Sequence, residues 1–211
     1  MPNEFIPRLT APNITIDYYR HTGYYRREVI GWEPIYDPNT GEIIDWEPIY
    51  EYFDGLNECL LINSENGDIM PNCVGYAWGR WYEINGIRPD LSRGDAQLWY
   101  GHTSDGYPRS KKGVNLGSIC CFVGGNIGGH VGVVEQRISP NEYITSNSYY
   151  GSTYWTLEYL IYKNGLWRRY NYNSGKMIAN YKCQGFINNP YINDDVVLPK
   201  ESIVKYATRI L

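Results

Sequence analysis

The run NCVGYAWGRWYEI, residues 72–84, decides how this chain is read. Val74, Ala77, Trp78 and Trp81 recur at i, i+3, i+4 and i+7, the apolar stripe of a helix. Pro71 and Asn72 stand before it as a start signal, and Asn72 has the side chain to cap the first turn. Cys73 therefore falls at the start of the helix. Unpaired backbone N–H groups and the helix dipole favour negative charge there, and so favour thiolate, the reactive form of cysteine. Trp78 and Trp81 lie on the stripe and belong to the core.

Beyond Gly117 the pattern changes from helix to strand. Residues 118–123, 131–138 and 142–147 read as short strands with Gly-rich or Ser-Pro-Asn turns between them, and 167–172 and 181–187 read as two more. Helices first and an antiparallel sheet after them make an α+β domain over residues 56–190. His130 follows the glycine-rich run 124–129 and opens the strand VGVVEQ, where another group can approach it closely. A cysteine at a helix start and a later histidine at a strand start is the order of a Cys–His hydrolase. Glu135 is the nearest acid, but its offset of five puts it on the opposite face from His130, and it reads as a solvated charge.

Residues 1–55 differ in character. Six of the 12 prolines fall here, and WEPIY occurs at 32–36 and again at 46–50. The intervening Asp37-Pro38-Asn39-Thr40-Gly41 is turn chemistry, so the two copies form a hairpin. That hairpin is an aromatic β-arm or linker, either packed on the main domain or used for docking. Residues 191–211 form a mixed tail with a short helix over 201–210.

Composition narrows the partners. A net charge of -4 and no cluster of basic residues exclude a nucleic-acid binder. No stretch of 18 apolar residues exists, so no membrane insertion is expected. The N-terminus lacks the apolar run of a secretory signal. Five cysteines, at 59, 73, 120, 121 and 183, suit neither a disulfide framework nor a zinc site. No metal and no cofactor is expected; Ser64–Asp68 offers oxygens for calcium but reads first as a turn. The 22 tyrosines and 7 tryptophans suit a β-rich chain with a groove for sugars or peptides.

NCVGYAWGRWYEI resembles the nucleophile helix of CHAP domains, the cysteine- and histidine-dependent amidohydrolases and peptidases with a papain-like fold. GDAQLWYGHTSDGY (94–107), LGSICCFVGGNIGGHVGVVEQ (116–136), ITSNSYYGSTYW (144–155) and CQGFINNP (183–190) resemble later segments of phage-encoded members. The resemblance implies N-terminal helices packed on a C-terminal antiparallel sheet. It implies Cys73 as nucleophile, His130 as base, and Asn147 at the position that usually holds an acid. Asn72 stands where relatives carry an amide, as an oxyanion donor or simply a helix cap. Tyr149, Tyr150 and Trp99 are candidate groove residues. The implied function is a peptidoglycan hydrolase, an N-acetylmuramoyl-L-alanine amidase or endopeptidase, of the phage endolysin or tail-associated type. It would reside in the host cytoplasm before lysis or in the virion tail, with peptidoglycan and other tail proteins as partners. The alternative is a degenerate CHAP scaffold serving as a structural or wall-binding tail protein, which the replacement of the acid at Asn147 motivates. Wall-clearing activity separates the two.

Overall fold

Asn72 and Gly86 bracket the helix that the apolar stripe calls for. The computed structural model describes residues 5–12, 27–52, 61–63, 69–124, 128–149 and 155–192, and it places this helix, α1, at Cys73–Asn85. The Asn72 side-chain oxygen accepts from the Gly75 N–H at 3.0 Å, a cap that contributes about 1 kcal/mol. Gly86 ends the helix in the left-handed conformation, φ 66°, with its N–H on the Tyr82 carbonyl. Ala77, Trp78 and Trp81 of the stripe are fully buried and Val74 partly so, and Tyr76 beside them is fully buried as well. A second helix, α2 (Ala96–Trp99), is a single turn.

The two WEPIY copies lie on β1 (Arg27–Tyr36) and β2 (Ile43–Tyr52), and they pair with each other. Trp32 stands opposite Pro48, Glu33 opposite Glu47 and Pro34 opposite Trp46, so the hairpin has a local two-fold axis through the Glu33–Glu47 pair. The turn is the one its residues dictate. Asp37 Oδ1 accepts from the Asn39 N–H at 2.7 Å, and Gly41 takes φ 72°. Trp32 and Trp46, 60% and 51% exposed, share one face of this hairpin. Ile30, Tyr36, Ile43, Ile44 and Ile49 are exposed as well. A smaller hairpin, β3 (Leu61–Asn63) and β4 (Ile69–Pro71), leads into α1.

The remaining strands form one antiparallel sheet. They are β5 (Arg109–Ser110), β6 (Ile119–Gly124), β7 (His130–Ser139), β8 (Glu142–Asn147), β9 (Thr156–Lys163), β10 (Leu166–Asn171), β11 (Met177–Ile178) and β12 (Tyr181–Ile187). Their order is β11-β10-β9-β8-β7-β6-β12-β5. The five strands expected from sequence are present within a residue at each end. β9 is not legible because Leu157, Tyr159 and Ile161 on one face alternate with Glu158, Leu160 and Tyr162 on the other. The fold is mostly antiparallel sheet with few helices, an α+β arrangement. Where several helices were expected, the described residues hold one of 13 residues and one of four.

The sheet is strongly curled. Trp167 of β10 meets Phe186 of β12 edge-on at 5.2 Å, and the Arg169 guanidinium lies 5.2 Å from the Tyr181 ring, although four strands separate β10 from β12. One face carries Ser146 and Glu135 and receives α1. Tyr76 donates its hydroxyl to Ser146 Oγ at 2.9 Å, and Arg80 Nε and Nη2 reach Glu135 at 3.0 and 2.9 Å. Glu135 is thus on the face opposite His130, as alternation predicts, but it is not a solvated charge. It is completely buried under α1, and it also accepts from Ser146 Oγ at 2.7 Å and from the Arg8 N–H at 2.8 Å.

Candidate active site

Packing of α1 along β7 brings the first residue of each to the same end of the strand. The backbone N–H groups of Val131, Val74 and Cys73 itself are aimed at the Cys73 sulfur, and Val131 is the residue after His130. Burial nonetheless pushes the Cys73 thiol up from its ordinary 9.0; these amides and the Arg169 charge pull it back by less. Burial likewise holds His130 well below the usual 6.5, and the positive charge of Arg169 adds to that. The pair at rest is therefore a neutral thiol and a neutral imidazole. No direct hydrogen bond joins them in this structure, a contact that in free enzymes often tightens only around substrate.

Asn147 decides which imidazole nitrogen is free. Its amide nitrogen donates to the Thr145 carbonyl at 3.2 Å and to Thr145 Oγ1 at 3.0 Å. The Asn147 side-chain oxygen then has to be the atom 3.0 Å from His130 Nε2, so Nε2 carries the hydrogen and donates. Nδ1 keeps its lone pair. The Asn147 side chain reaches His130 because Gly132, two residues on from His130 in β7, has no side chain to block it. A Cβ at position 132 would stand 2.2 Å from Asn147 Oδ1 and 3.2 Å from Cys120 Sγ.

The other candidates divide. Asn72 caps α1 with its oxygen, and its amide nitrogen has no protein partner among the described residues. Tyr149 is partly buried, and its ring stacks on His130 at 4.4 Å with an interplanar angle of 4°. Trp99 is a correction. It is 0% exposed in the core, with its indole N–H on the Gly94 carbonyl at 3.0 Å, because the α2 turn folds it inward. Tyr150 and the segment 64–68 lie outside the described residues, as does the 201–210 helix. Cys120 and Cys121 are buried in β6, where burial raises both thiols, and burial pushes Cys183 up to about 11. Two residues with no sequence signal, Glu158 and Arg169, sit beneath the site as an ion pair at 2.7 Å. Among the described residues no cluster of three His, Cys, Asp or Glu could hold a metal, and no helix is long and apolar enough to cross a membrane. A depression of about 790 Å³ bordered by Ser110, Arg137, Tyr143 and Asn188 is at the far end of β7 and takes no part in this arrangement.

His130 gives the site a pH dependence. Its folded-state pKa lies below the unfolded value near 6.5, so protons bind the unfolded chain more readily. This contribution to stability is complete above pH 6.5 and is lost as pH falls below it. Urea midpoints should decline as pH falls below about 6.5 in the wild type and decline less in His130→Gln. Equal declines in the two would show that the imidazole is not buried neutral.

No curated protein and no solved structure matches the chain. Residues 63–149, which include Cys73, His130, Asn147 and Tyr149 but not Glu158 or Arg169, match the family model of the CHAP domain, and this part of the chain is similar to that family.

Proposed function

We propose that this protein hydrolyses an amide bond of bacterial peptidoglycan, with Cys73 as nucleophile, His130 as general base and Asn147 as the group that orients the base. CHAP domains are in general hydrolytic amidase or peptidase domains associated with peptidoglycan. The observation that carries the reading here is the bond from Asn147 to His130 Nε2, which leaves Nδ1 as the basic nitrogen at the end of β7 where Cys73 also lies.

The neutral resting pair defines the order of events. As Sγ attacks the carbonyl carbon, Nδ1 takes the thiol proton, so the base acts during the attack. On this reading the Cys73 backbone N–H, turned from the sulfur to the substrate, and the Asn72 amide nitrogen receive the developing oxyanion. Collapse breaks the C–N bond, and His130 returns the proton to the leaving amine. Water, activated by the same nitrogen, then hydrolyses the thioester. Asn147 holds the ring but offers imidazolium no negative charge, so the acid limb of kcat/KM should lie below pH 6.5.

The bond cut is either the muramoyl–L-alanine amide or a peptide bond of the stem or cross-bridge. The biological setting that fits is a phage lysin or virion tail component, with the wall as partner. Zymography on several purified walls, followed by mass spectrometry of the new termini, tests the activity and separates amidase from endopeptidase. Intact walls after incubation with folded protein would sink the proposal and favour a wall-binding scaffold.

Gly132 supplies a further check on the role of Asn147. Gly132→Ala should drive Asn147 Oδ1 away from His130 and lower turnover by about ten- to a hundredfold, or ~1.4–2.7 kcal/mol. Substrate affinity should hardly change. Unchanged turnover would mean that the base needs no orienter.

A further inference from the structure

The side chains beneath His130 form a clamp of which the family match reaches only Tyr149. Tyr149 lies flat on the imidazole, and its hydroxyl donates to Glu158 Oε1 while accepting from Arg169 Nη2. Glu158 and Arg169 are both buried and joined twice, Nε to Oε2 at 2.7 Å and Nη2 to Oε1 at 2.9 Å. Phe122, Tyr181 and Tyr149 surround the guanidinium at 4.6, 5.2 and 5.6 Å. Arg169 Nη1 has no hydrogen-bond partner among the described residues; contact with these ring faces is what the cage gives it instead.

A second path runs from the same residue to the Nε2 edge of the ring. Thr145 donates its hydroxyl to the Glu158 carbonyl at 3.5 Å, which leaves Thr145 Oγ1 as acceptor for Asn147. That polarity turns the Asn147 oxygen toward His130. The plane of the imidazole and its tautomer are therefore both referred to position 158.

We propose that Tyr149, Glu158 and Arg169 are positioning residues for His130, the ion pair holding Tyr149 by its hydroxyl so that the tyrosine ring fixes the imidazole plane. The inference rests on His130 being the base of the proposed reaction. A neutral tyrosine stack replaces the charged third residue that this site lacks: order is supplied by contact and by a buried pair whose own charges cancel. An arginine this close to an imidazole would on its own work against the base, which is why Glu158 has to accompany it. Tyr149 stands at a family position, but the pair that holds it comes from β9 and β10, outside residues 63–149.

The test is Tyr149→Phe, which keeps the ring and removes the link to the pair. In full-length protein, kcat on purified walls should fall about tenfold with KM within about twofold, the signature of lost orientation. Side-chain ¹⁵N NMR of His130 should show a single Nε2-protonated tautomer in the wild type and exchange broadening or a mixture in Tyr149→Phe. An unchanged imidazole spectrum overturns the clamp whether or not the wild type cuts walls. A fall in kcat with an unchanged spectrum also overturns it, since Tyr149 would then act on substrate. A lower melting temperature with kcat and spectrum unchanged would reduce the cluster to a structural one. Thr145→Val and Thr145→Ser, compared by the same spectrum, test the second path: serine should preserve the single tautomer and valine should not.

Discussion

Cys73→Ala should abolish wall lysis and leave the fold intact. The side chain is small and only half-buried, so its loss opens little space in the core. The helix cap is made by Asn72 and is untouched. Chemistry should suffer far more: on the proposed mechanism Cys73 is the nucleophile, and removing one costs roughly 10⁴-fold or more in kcat. No other described cysteine replaces it. Cys120 and Cys121 lie inside β6 with thiols raised by burial, and Cys183 lies on β12. Turbidity loss of wall suspensions, read beside a thermal melt, checks both halves. Lysis near the wild-type rate in a normally folded Cys73→Ala protein would remove the enzyme from consideration, and Cys73→Ser should be similarly inactive.

Glu135→Ala, far from the chemistry, should be the most damaging of these changes to stability. Glu135 accepts four hydrogen bonds, two from Arg80, one from Ser146 and one from the Arg8 backbone. Alanine leaves a buried guanidinium whose remaining partners include the Ile6 carbonyl and Glu83, 3.1 Å away. Breaking one side of a buried pair costs about 3–5 kcal/mol, and the surviving Glu83 contact puts this case near the lower figure. That is a large part of the 5–15 kcal/mol typical of a domain. Urea unfolding monitored by circular dichroism measures it, and Glu135→Gln should lose less because it keeps the acceptor geometry. A midpoint unchanged in Glu135→Ala would mean that α1 is held to the sheet by apolar packing alone.

Local information in the chain carried far in some places and stopped in others. α1 was legible because its start signal, cap and stripe all lie within residues 71–81, and Cys73 came with it. The WEPIY hairpin was legible because its turn residues have few other uses. Asn147 was reached only through resemblance, since nothing in its own neighbourhood marks it. Glu158 and Arg169 gave no signal at all. Their place under His130 follows from the order of strands and from a curl that brings β10 across to β12, relations that no window of sequence contains. Trp99 was misassigned because an aromatic pair in a polar stretch looks the same whether the turn folds it in or out. Glu135 was placed on the correct face, but the covering of that face by a helix is a tertiary fact.

The distribution of tryptophan has a practical result for anyone watching this molecule by light. Trp78, Trp81 and Trp99 have no exposed surface and Trp167 has almost none, while Trp32 and Trp46 sit on the open face of the hairpin. Trp155 is partly buried with its indole N–H on the Tyr76 hydroxyl, so emission divides mainly into a blue population from the domain interior and a red one from the hairpin. Acrylamide should extinguish the red population first, and Trp32→Phe with Trp46→Phe should remove it without disturbing the interior. Whatever touches the hairpin and whatever loosens the sheet would then be seen as separate colours in one cuvette.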